Sequence, residues 1–185
     1  MRIAAVLLAV VIALGACSDP EPPAPAGGAT ALPGPVPTGL ALRPVPPDTP
    51  GAPVFTGALT DGTNLAVADL WAERPVVLLF FSSWCTTCAE RQDALSELAR
   101  GYRDRVVFVG VVTEDEPAEL DAYLRTHKAE FPVVVDADGT ISRSYAVREP
   151  GAVAVVAKGG ALLRGWPGGL NASTLDQRIR ELLLG

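Results

Sequence analysis

Cysteine and histidine are scarce in this chain, with three Cys and one His in 185 residues. That is too few for a zinc site of the usual Cys/His kind. Basic runs are missing too. Fifteen Lys and Arg stand against twenty-one Asp and Glu, a formal net charge of −6. Nucleic acid is therefore not expected as a partner, because phosphate binding needs concentrated positive charge. No apolar run reaches the roughly 20 residues that a transmembrane helix needs, and no internal repeat is visible. What is present is a chain 49% hydrophobic, enough for the core of one ordinary domain.

The N-terminus reads as a targeting segment. Arg2 precedes the uncharged run Ile3 to Leu14 and the small residues Gly15-Ala16, the layout of a signal peptide. Leu14-Gly15-Ala16-Cys17 resembles the lipobox of bacterial lipoproteins. The resemblance implies a signal peptide over 1–16, cleavage before Cys17, lipid on its sulfur, and an extracytoplasmic, periplasmic or cell-surface protein. Two or more acyl chains hold a protein firmly at a membrane surface. Twelve of the seventeen prolines then fall between Ser18 and Pro53. With no periodic apolar positions, residues 17–53 are expected to form a disordered Pro/Ala/Gly-rich tether.

Residues 54–185 are expected to form one domain. Asp61-Gly62 marks a turn between extended pieces over Val54–Ala58 and Asn64–Val67. Val76 to Phe81 is continuously apolar and predicts a strand buried on both faces. A helix is predicted over Cys85–Arg100 with Gly101 as its stop, then a second buried strand over Arg105–Val112. Pro117 opens a predicted helix to about Lys128. Pro132 to Val135, the turn Asp136 to Gly139 and a short helix over Ile141–Ala146 follow. Val153–Ala157 and Ala161–Arg164 predict a hairpin about Lys158-Gly159-Gly160. Ser173 with Asp176 is read as the cap of a last amphipathic helix. This order predicts an α/β/α sandwich on a mixed central sheet.

Setting Cys17 aside leaves Trp84-Cys85-Thr86-Thr87-Cys88, where a buried strand meets a helix start. A disulfide closing so short a loop stabilises little in the chain-entropy model, about 2 kcal/mol. Its chemistry is better favoured. Helix N-terminal amides and the helix dipole stabilise a thiolate at the first Cys, and the second can resolve a mixed disulfide. A closed, inert bridge or half of a metal site is the structural alternative.

Phe80 to Cys88 resembles the active-site segment of thioredoxin-fold proteins. The lead-in from Asp61-Gly62 to Val77, the stretches Val109 to Val111, Glu116 to Glu119 and Phe131 to Gly139, and Tyr145 to Arg148 resemble the TlpA/ResA-like thiol-disulfide oxidoreductases. The likeness covers nearly all of residues 54–185. It implies a thioredoxin-like fold, catalysis by Cys85 and Cys88 with no further cofactor, and protein disulfides as substrates, with recharging by a membrane electron donor. Haem-attachment cysteines of cytochrome c maturation, or copper-site cysteines, are typical family substrates. It also implies a cis-proline facing the cysteines, for which Pro150 is the candidate, although an ungapped alignment puts Gly151 there. Trp84 and Pro150 are then expected to border the substrate groove.

The chain departs from these relatives in three places. Leu79 stands where thioredoxins carry a buried Asp. Arg91 stands where several relatives carry Glu, leaving neighbouring Glu90 as the candidate proton-transfer acid or a solvated first-turn residue. Thr86-Thr87 replaces Gly-Pro between the cysteines. His127 reads as a surface residue, Trp71 and Trp166 as core or edge aromatics, and Glu114 to Glu116 as a solvated run at a helix start. The competing functions are a Cu(I)-binding module, since thiolates suit that ion, and a thiol peroxidase. Against the latter, Ser82 occupies the position of the peroxiredoxin Thr.

Overall fold

The computed structural model describes residues 23–185; the predicted signal peptide and Cys17 lie outside them. Seven strands form one mixed sheet in the order β2-β1-β5-β4-β3-β6-β7. They are β1 (Thr56–Leu59), β2 (Asn64–Ala66), β3 (Val76–Phe81), β4 (Val107–Val112), β5 (Val133–Val135), β6 (Val153–Val156) and β7 (Leu162–Trp166). Strands β3, β4 and β5 run parallel, and the remaining pairs are antiparallel. The helices are α1 (Val67–Glu73), α2 (Thr86–Tyr102), α3 (Pro117–Thr126), α4 (Thr140–Ser144) and α5 (Ala172–Leu182).

The unbroken apolar run of β3 follows from its central place. Val77, Leu79 and Phe81 face a core shared with α2, α3 and α5. Val76, Leu78 and Phe80 face a second core with Trp71 of α1 and Ile141 of α4. Period-two alternation gives each face three of the six side chains. A strand covered by helices on both sides cannot show a polar face.

Several predicted boundaries shift. Helix α1 was not foreseen; Val67 and Trp71, one turn apart, are its buried residues. Helix α2 runs through Gly101 because Tyr102 is buried and its hydroxyl donates to Asp176 at 2.6 Å. One more turn of helix brings that side chain to α5, which outweighs the cost of a helical glycine of about 1 kcal/mol. The cap of α5 is Asn171, whose Oδ1 accepts from the Thr174 amide at 2.9 Å. Ser173 lies inside the helix and donates to the same oxygen.

The largest correction concerns the expected free tether. From Ala24 to Pro53 the chain lies against the domain as a strap. Ala26 donates to Asp121 (2.8 Å) and Ala29 to Asp61 (2.7 Å). The carbonyls of Ala26, Gly27 and Pro50 accept from Thr60, Val133 and Leu162. Arg74, buried near the start of β3, donates to the Gly34 carbonyl. Leu42 bridges Leu184, and Gly51 bridges Ala161. Proline has no N–H to offer but keeps its carbonyl. A strap rich in it can therefore still accept from donors that the domain supplies, while the amides of its other residues, among them Ala26, Ala29, Arg43 and Ala52, donate in return. The lack of a periodic apolar face means only that the segment builds no core of its own.

Candidate active site

The carboxyl ends of β3 and β4 place the cysteines. Beyond Phe81 the chain turns through Ser82-Ser83-Trp84 into α2. Ser82 is buried and donates to the Thr113 carbonyl at 3.0 Å. The Ser83 amide donates to Asp115 Oδ2 at 2.9 Å, and the Ser83 hydroxyl donates to the same carboxylate. Trp84 Nε1 donates to the Glu114 carbonyl at 3.2 Å. Glu114 holds φ at +58°, a conformation unusual for a residue with a Cβ. Glu114 and Asp115 thus brace the loop before the cysteines. Asp115 was missed as a member of this site because its partner lies 32 residues away.

Cys85 is the N-cap of α2, and its Sγ accepts from the Cys88 amide at 3.1 Å. Cys85 and Cys88 are joined as a disulfide, with Cα atoms 5.2 Å apart. Thr87 Oγ1 stands 3.5 Å from Cys85 Sγ. On reduction, the amide and the helix terminus favour negative charge on Cys85. Exposure does not separate the two residues, which are 7% and 6% accessible. Their surroundings do. Cys88 lines a small cavity with Leu79, Phe81, Arg91, Gln92 and Gly151, large enough for one water. Gln92 is itself buried; it donates to Ser96 and accepts from the Tyr123 hydroxyl, whose pKa is raised, chiefly by burial.

The remaining expectations divide. Trp84, beside Cys85, is 56% exposed and borders the cysteines from solvent. Pro150 is not among the residues lining the cavity beside Cys88. No cis peptide bond occurs among the described residues, and Gly151 occupies the place. A Cβ there would stand 4.0 Å from Cys88 Sγ, and φ is +109°. The Gly151 amide donates to the Phe80 carbonyl at 2.6 Å, a bond that a proline at this position could not make. Glu90 is exposed and absent from the cavity lining, so the structure does not bring it to Cys88. His127 caps the end of α3, where its ring packs on Tyr123 and lies 2.7 Å from Asp93. Trp71 is buried in the core and Trp166 packs at its edge.

Comparison with known proteins agrees with this geometry. Residues 50–164 match the model of the AhpC/TSA family. The soluble secreted antigen MPT53 of Mycobacterium bovis is 30% identical over 96 residues, 52% of this chain and 51% of that protein. The chain thus spans about half the length of that relative. The thiol-disulfide oxidoreductase ResA of Bacillus thuringiensis is 22% identical over 71% of this chain and 76% of its own length. Among solved structures, a secreted Mycobacterium tuberculosis disulfide oxidoreductase homologous to E. coli DsbE superposes with TM-score 0.63 at 25% identity, over 69% of this chain and 96% of that one. The exposed lipoprotein thioredoxin Etrx1 of Streptococcus pneumoniae gives 0.61 at 28% identity, over 70% and 100%. With a mixed sheet flanked by helices and a CxxC at a helix start, the chain belongs to the AhpC/TSA family of thioredoxin-like fold.

Proposed function

We propose that this protein is a thiol-disulfide oxidoreductase working outside the cytoplasm, where it reduces disulfides of selected proteins. The observation that carries the reading is the Cys85–Cys88 disulfide at the N-terminus of α2, with a backbone amide on Cys85 Sγ. In the reduced enzyme the Cys85 thiolate attacks one sulfur of the substrate disulfide, and the other leaves as a thiolate. Cys88 then attacks Cys85 Sγ, the mixed disulfide breaks, and the second substrate sulfur departs. Two electrons pass from the dithiol to the substrate, and the enzyme is left in its disulfide form. A membrane donor of electrons restores it.

The extracytoplasmic part of the reading draws on the secreted and surface-exposed relatives and on the lipobox-like run ending at Cys17. A lipid on Cys17 changes meaning once the strap is considered. Six peptide steps join Cys17 to Pro23, a contour of about 20 Å. The anchor therefore holds the domain close to the bilayer rather than on a long leash. Among the described residues no helix is long and apolar enough to cross a membrane.

The test is the reduction potential of the full chain against glutathione. A value near thioredoxin's, about −270 mV, supports a reductant. A value near DsbA's, about −120 mV, overturns that direction while leaving the exchange chemistry intact. Mass spectrometry of the mature N-terminus reads the lipid, and an unmodified Cys17 overturns the anchor.

A further inference from the structure

The cavity behind Cys88 holds one ionisable side chain besides the thiol, and it is a cation. Arg91 lines it together with Leu79, Gln92 and Gly151. Arg91 Nη1 donates to the Gly168 carbonyl at 3.0 Å. A Cβ on Gly169 would fall 2.9 Å from that same nitrogen and 2.0 Å from the Gly151 carbonyl oxygen. Arg91, the Gly168-Gly169 turn, Gly151 and Cys88 Sγ are therefore packed in sequence. No carboxylate joins them. Strand β3 contributes Leu79 and Phe81, α2 contributes Gln92 and Leu95, and the far wall is Gly151 to Val153 with Leu170. The acids and bases nearby point elsewhere. Asp115 is bonded to Ser83, Asp93 to His127, Tyr123 to Gln92, and Glu90 is exposed. Arg148 and Glu149, just before Pro150, do not line the cavity.

We propose that Arg91 is the electrostatic partner of the resolving cysteine, favouring the thiolate of Cys88 and so raising the reduction potential of the pair. This deepens the redox reading above and rests on it. A fixed opposite charge near an ionisable group favours its charged form, and Arg91 is half-buried where it lines this cavity. A cation beside a thiolate is a recognised way to activate sulfur. In the resolving step the proton of Cys88 passes to water before attack, and the departing substrate thiolate later takes one up. The step needs no protein carboxylate. Arg91 acts as a positioning residue in one further respect, since its bond to Gly168 holds the glycine turn against Gly151.

The test uses the full chain carrying Cys17→Ser and Cys85→Ala, so that Cys88 is the only thiol. Its thiolate is followed by ultraviolet absorbance as pH is raised. Arg91→Gln is expected to move the midpoint up by about one pH unit, a tenfold loss of thiolate near neutrality. Arg91→Lys is expected to keep most of the effect. With both active-site cysteines present, Arg91→Gln should shift the equilibrium with glutathione toward the protein disulfide. The shift approaches tenfold, or about 30 mV, at a pH above both midpoints, where Cys88 is ionised in the reduced protein, and fades below them. An unchanged midpoint in Arg91→Gln overturns the proposal. Equal shifts in the Gln and Lys variants overturn it too, because the hydrogen-bonded turn alone would then explain them. The titration needs no redox partner, so it stays readable if the unmodified pair fails to exchange with glutathione, a failure that counts against the redox reading instead.

Discussion

The loop before the cysteines and the N-terminal strap are both irregular backbone, yet they are held in different ways. The loop is braced at one place. Ser82, Ser83 and Trp84 all bond to Thr113, Glu114 or Asp115, across the ends of two adjacent parallel strands. The strap is held at separated points along some thirty residues, by Asp121, Asp61, Arg74, Leu184 and Ala161 in turn. A concentrated brace fixes a reacting group to a fraction of an ångström, which thiol exchange requires. Distributed contacts hold a segment in place while allowing each point to open separately.

The comparison can be broken or sharpened by substitution. The largest effect belongs to the cysteines. Cys85→Ala is expected to drop disulfide reduction to background and trap no substrate, whereas Cys88→Ala should accumulate a mixed disulfide through Cys85 on non-reducing gels. Alkylation of the reduced protein near neutral pH should label Cys85 first, which mass mapping checks. Equal labelling of both would falsify the division of roles.

Next comes Gly169→Ala. Its Cβ would meet the Gly151 backbone at 2.0 Å, in a residue with φ at +70°. The strained conformation alone costs about 1–3 kcal/mol, and the clash adds to it. The melting temperature should fall by several degrees, and thiol reactivity should change with it. Asp115→Ala removes the acceptor of the Ser83 amide and hydroxyl. It should cost about 1–3 kcal/mol and slow disulfide exchange. Cutting a single strap contact should not slow exchange.

That last contrast is read from Asp61→Asn, the smallest expected effect. The Asp61 carboxyl is held below its ordinary value, first by the Ala29 amide and then by the Thr63 amide. A depressed folded-state pKa means that its contribution is present above the unfolded value, near 4. The contribution is lost as pH falls through the lowered one. The stability gap between the unmodified protein and Asp61→Asn should therefore be small at neutral pH and close in acid. The Ala29 amide resonance should titrate with the carboxyl. A gap that widens on acidification would contradict the sign.

Legibility in the sequence followed the range of the contacts. The limits of β3 agree with the reading because a run buried on both faces declares itself by composition. The β1–β2 and β6–β7 hairpins were visible through Gly62, Gly159 and Gly160, each with positive φ. The place beside Cys88 was not decidable from residue types. Pro150 and Gly151 are adjacent, and only the pairing of Gly151 with Phe80 selects between them. Tyr102 carried α2 past a glycine stop through a partner 74 residues away, and Asp115 escaped notice for the same reason.

By itself, then, the sequence determined the cysteine pair at a helix start, the succession of the seven strands, and the α/β class. Each of these depends on residue type and on spacings within a few positions. Tertiary structure alone decided that the proline-rich segment lies on the domain. It also decided that a glycine rather than a proline stands near Cys88, and that Arg91 lines the same cavity as that sulfur. These outcomes depend on which donor, wall or carbonyl the folded chain brings up from far along its length. Local propensity carries no record of that.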